Sequence, residues 1–157
     1  MSPHCGKRFV HVATISAVLL AALTGRTAAL ELITAREAAL PDAVGVNLKL
    51  GFRGVTRGPK ILVLSPAPDA GLVRSPLNLL LKFETHGGAK IEPDSVKMIY
   101  LKMPTINLTQ RIGDSIKTSG IEVNSAEVPP GTHYIRIDVK DNAGRLGSTT
   151  FVLSVTN

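Results

Sequence analysis

Tryptophan is absent from this chain, and aromatic residues make up only 4% of its 157 positions. A surface that stacks bases or sugar rings needs several such side chains, so none is expected. Cysteine is nearly missing too: Cys5 is the single one, which excludes an intrachain disulfide and a thiolate metal cluster. Nor does any apolar run reach the roughly 20 residues of a bilayer-spanning helix. The uncharged stretch Phe9–Leu23, FVHVATISAVLLAAL, is rich in alanine and interrupted by His11, Thr14 and Ser16.

That stretch has another use. Lys7 and Arg8 precede it and TGRTAA follows, with Thr27 and Ala29 at the small-residue positions before a cut. A basic front, a short apolar middle and a small-residue exit are the layout of a secretory signal peptide, here residues 1–29. Cleavage after Ala29 removes Cys5, together with Lys7, Arg8, Arg26 and no acid, so the formal net charge falls from +6 to +3. The high pI thus partly reflects the signal, and nucleic acid is not an expected partner. The mature form is expected in the periplasm or outside the cell and does not span the membrane. The alternative is an uncleaved segment that anchors it in the inner membrane.

Residues 30–58 read as a leader helix followed by a glycine-rich arm. Thr34 and Glu37 stand at capping-box spacing and Pro41 stops the helix, whose short apolar face suggests loose docking. The arm holds Gly45, Gly51, Gly54 and Gly58 with the cations Lys49, Arg53 and Arg57, which solvate a linker.

From residue 59 onward, short runs of β-branched and large apolar residues alternate with turn residues. LNLLLKFE puts Leu77, Leu79, Leu81 and Phe83 on one face; HYIRIDVK does the same with Ile135, Ile137 and Val139, and TTFVLSV with Phe151, Leu153 and Val155. KILVL, SVKMIYL and GIEVNS complete the set. Only LTQRIGDSIK breaks the period of two, with Leu108, Ile112 and Ile116 at helical spacing. The pattern predicts an all-β, antiparallel sandwich of about seven strands over residues 59–157.

Three turns carry a family resemblance: Pro68 to Gly71 between the first two strands, Pro130-Gly131 before the penultimate strand, and Asp141 to Gly144 before the last. In these the chain resembles the bacterial immunoglobulin-like domains, which implies an immunoglobulin-like sandwich and no activity of its own. The outline is also similar to that of periplasmic copper-resistance carriers. The resemblance there implies an N-terminal histidine, an Asp-x-His in the last turn and a Met-rich loop. This chain has Leu30, DNAGR and only Met98 and Met103 in their place.

The candidate chemistry follows. His133, two residues after Gly131, occupies the slot of the corner residue that bonds back to the chain in such sandwiches. His86 lies in a loop at the opposite end, so the two histidines do not form a shared site. Asp138, Asp141 and Asn142 read as turn chemistry rather than a calcium site, which wants six to eight oxygens. No Gly-x-Ser-x-Gly elbow is present, so no enzyme and no cofactor are expected. The loop Thr85–Asp94 and the turn Asp141–Gly147 should lie side by side, making His86, Lys90, Asp141 and Arg145 the candidate binding residues. The sequence therefore predicts an exported binding or assembly module whose partner is an envelope protein or polymer. A divergent copper carrier on the same fold is the alternative.

Overall fold

The computed structural model describes residues 29–43, 45 and 57–156. The expected signal segment before Ala29 and most of the glycine-rich arm lie outside the described residues. Within them, two sheets face each other in a β-sandwich. One sheet joins β1 (Leu30–Glu31), β8 (Gly120–Glu127), β4 (Leu77–Glu84) and β2 (Lys60–Ser65) in that order, with β7 (Ile116–Lys117) also on β8. The other runs β3 (Leu72–Arg74), β10 (Leu146–Thr156), β9 (Gly131–Lys140), β5 (Lys97–Tyr100) and β6 (Ile106–Asn107). Ten strands stand where about seven were expected because β1, β6 and β7 are only two residues long. Pairing is antiparallel except for β1 on β8 and β3 on β10.

The alternation in the sequence becomes the core. Leu77, Leu79, Leu81 and Phe83 from β4 meet Ile135, Ile137 and Val139 from β9 and Phe151, Leu153 and Val155 from β10, all buried. Gly120 is required by close approach, since a side chain there would strike the Leu81 carbonyl. LTQRIGDSIK forms a 3-10 helix over Thr109–Ser115, whose Ile112 is buried.

The leader is docked far more firmly than its short apolar face suggests. Leu32 and Ile33 are 0% and 1% exposed, and both N–H groups donate to the Glu127 carbonyl. α1 (Ala35–Ala38) carries the expected capping box, Thr34 with Glu37. Glu37 also receives both Arg111 nitrogens, at 2.8 and 2.6 Å, while Arg111 donates to the Leu32 carbonyl at 2.8 Å. Paired N–H donation of this kind is strong and orienting.

The Arg111 hydrogen bond, with help from Thr34, holds the Glu37 carboxyl at about 2 against an ordinary 4.5. A depressed carboxyl pKa stabilises the fold fully above its unfolded value and loses that contribution as pH falls toward the folded one. Glu37→Gln should therefore cost about 2 kcal/mol at pH 7, after allowance for the partial exposure of the pair. Urea midpoints measured from pH 7 to pH 2 check this: the wild type should lose its advantage over the variant between 4.5 and about 2. A gap that does not change with pH rules out the linkage.

Candidate functional site

The loop after β4 and the turn between β9 and β10 meet at one end of the sandwich, as the sequence suggested. Ile91 and Asp141 form an isolated bridge. Asn142 N–H donates to the Lys90 carbonyl at 2.9 Å, and Lys90 N–H returns a bond to Asn142 Oδ1 at 3.1 Å. Glu92 N–H donates to the Lys140 carbonyl, and Arg145 Nη2 reaches the His86 carbonyl at 3.3 Å. Thr85 closes its own loop with a bond to Ala89, across Gly87 and Gly88 at φ 67° and 75°. Two connections thus become one framework.

The four candidate residues have different parts in it. Asp141 is 1% exposed and receives Ala143 N–H, Arg145 N–H and Arg145 Nε at 3.0, 2.9 and 2.8 Å. Burial works against its carboxylate, but these donors hold its pKa below the ordinary value. Its oxygens are occupied in building the turn, so Asp141 shapes the candidate surface from within. Arg145 is half committed to the same pair. His86 and Lys90 stay exposed at the surface.

Beside them lies an open groove of about 420 Å³ lined by Phe83, Thr85, Lys90, Ile91, Thr118 and Ser119. A second groove, of about 350 Å³, runs along the outer face past Leu64, Leu80, Lys82, Lys117 and Glu122. Phe83 and Ser119 border both. Hydroxyls and one ammonium rim an apolar floor of Phe83 and Ile91. The alternation pointed to Phe83 as core, but its second face on the grooves had no sequence signal.

The opposite end holds His133 at 1% exposure. Its Nε2 lies 2.8 Å from the Pro129 carbonyl and its Nδ1 2.8 Å from the Tyr100 hydroxyl. A carbonyl can only accept, so Nε2 carries the proton and Nδ1 accepts from Tyr100. Burial lowers the His133 pKa and raises that of Tyr100. The imidazole therefore stays neutral and fixes the corner to the chain, the structural role expected of it.

Sequence reasoning missed Lys102. It is 5% exposed, 2.7 Å from Asp42, and its Nζ stands 5.4 Å from the Tyr100 ring centroid. Burial opposes its charge, but the Asp42 hydrogen bond raises its pKa overall. It joins the leader to the β5 end, next to a bond from Met103 N–H to the Pro41 carbonyl.

Among the described residues, no three His, Cys, Asp or Glu side chains are placed to share a metal ion, and no helix is long and apolar enough to cross a membrane. No protein-family model, curated protein or solved structure matches the chain.

Proposed function

We propose that this is an exported, non-catalytic binding or assembly module on an immunoglobulin-like scaffold, which meets another protein or polymer of the bacterial periplasm or cell surface through its loop end. The observation that carries the reading is the reciprocal bonding between Lys90 and Asn142. It makes two loops one rigid platform and leaves His86 and Lys90 exposed beside a groove. Pre-organised loops on a sandwich cost little entropy to bind with.

The scaffold reading draws on strand order. β2 sits in one sheet and β3 crosses to the other, where it runs parallel to the last strand, and β9 and β10 form the closing hairpin. That arrangement accords with an immunoglobulin-type sandwich. Export rests on the sequence layout of residues 1–29, a basic front, a short apolar run and a small-residue exit.

A partner crosslinked to the protein in periplasmic extract should be lost when His86 and Lys90 are both replaced by Ala, with an unchanged denaturation midpoint. Arg145 is left in place because its removal would open the Asp141 turn. Retention of the partner by the double variant would place the contact surface elsewhere.

A further inference from the structure

His133, Tyr100, Lys102 and Asp42 form a polar line through the end of the sandwich opposite the candidate loops. The first three are 1%, 0% and 5% exposed, and the half-exposed Asp42 of the leader ends the line. Its hydrogen bonds run in a fixed direction. Neutral His133 donates from Nε2 to the Pro129 carbonyl and accepts from the Tyr100 hydroxyl at Nδ1, both at 2.8 Å. Lys102 offers donors only. Its Nζ meets Asp42 Oδ1 at 2.7 Å and stands 5.4 Å from the Tyr100 ring centroid. Beside that ion pair, Ala43 N–H donates to the Leu101 carbonyl and Met103 N–H to the Pro41 carbonyl. The leader is thus clasped to the chain just after β5.

We propose that His133 is a proton-operated latch on this clasp: acid frees Pro41–Ala43 from the end of β5 while the two sheets stay folded. A proton added to the ring goes to Nδ1, where it opposes the hydrogen of the Tyr100 hydroxyl across 2.8 Å. Two donors cannot share that gap, so the hydroxyl turns to accept from His133 and its own hydrogen needs a new acceptor. Among the described residues, the carboxylates that act on Tyr100 are Asp42 and Glu37. Glu37 is held by both Arg111 nitrogens, and Asp42 already serves Lys102. The remaining strand against the ring, β10, faces it with the apolar Leu153. One carboxylate therefore has to answer a tyrosine hydrogen and two cations, His133 and Lys102. A buried donor without an acceptor is costly, and so is a second buried cation. Both are relieved when the clasp opens and water reaches the corner.

Burial holds the His133 pKa below its ordinary 6.5 and the Lys102 charge adds to this, against the opposite pull of the Pro129 bond and Asp42. The clasped state therefore has its full advantage above 6.5, and as pH falls below that value the opened corner takes up a proton that the clasped one refuses. A single proton shifts such an opening equilibrium by at most about tenfold per pH unit. The window lies above that of Glu37, which responds between 4.5 and about 2. The two acid responses are separable on the pH axis.

Amide exchange followed by NMR on the purified protein, corrected for the intrinsic pH dependence of exchange, tests this between about pH 7.5 and about pH 5. Protection at Ala43 and Met103 should fall by up to about tenfold per pH unit below 6.5, in step with the titration of the His133 ring signal. Phe83 and Leu108, whose N–H groups bond to the Ser119 and Met98 carbonyls, should keep theirs. His133→Gln supplies a donor and an acceptor but no titrating ring, and should flatten the response. If that variant fails to fold, the coincidence of ring and amide midpoints in the unaltered protein decides the matter alone. Protection at Ala43 and Met103 that ignores pH overturns the proposal, as does a response that persists in His133→Gln. Loss of protection at all four amides together would be unfolding of the whole domain, and overturns it equally.

Discussion

Leu32→Ala should destabilise the protein by about 2–5 kcal/mol, a large share of the roughly 5–15 kcal/mol that holds a domain together. Leu32 is 0% exposed and sits where β1 turns into α1, with its N–H on Glu127 and its carbonyl on Arg111. Truncation would leave a cavity between segments that those bonds hold in place, so little collapse can refill it. Urea denaturation measures the loss. Leu72→Ala is the control, because Leu72 is 71% exposed and its truncation should shift stability by no more than about 0.5 kcal/mol. Equal midpoints for the two variants would mean that the leader adds nothing to the fold.

Phe83→Ala should cost about 3–5 kcal/mol. The ring is 6% exposed and packs in the core from β4, yet it also borders both grooves. Phe83→Leu separates the two parts: it keeps most of the apolar volume and should recover most of the stability while reshaping the groove walls. A midpoint for Phe83→Ala close to that of the wild type would contradict its place in the core. Loss of partner binding by Phe83→Leu at full stability would tie the grooves to the proposed contact surface.

Much of the scaffold was legible because a half-buried strand writes its burial into every second residue. β4, β9 and β10 each do so over eight residues or more, and the turn residues between them mark the hairpin. The side-by-side loops followed from that topology. His133 was legible for a related reason: a polar residue just inside a penultimate strand has the corner carbonyl within reach.

The remainder depends on contacts between distant segments. Leu32 and Ile33 stand just before a short capped helix, and nothing local marks them as core until the Glu127 carbonyl at the end of β8 takes both of their N–H groups. Lys102 reads as a surface cation until Asp42 and Tyr100 enclose it. Asp141 reads as a turn carboxylate at the candidate surface, and only the structure shows how many of its lone pairs the turn itself takes up. The grooves are shapes between strands, and no local pattern encodes a shape.

The parallel pairing of β1 with β8 also bears on the order of events when the chain is made. Leu30 and Glu31 find their partners at Ala126 and Glu127, so the first strand among the described residues must wait for one roughly 100 residues later, a long-range closure of the kind that slows folding. Until β8 arrives, Leu32 and Ile33 have no burial site. A chain stopped short of Val128 would carry them bare. Leu32 and Ile33 therefore stay exposed until β8 has been made, and are among the apolar residues most in need of a chaperone meanwhile.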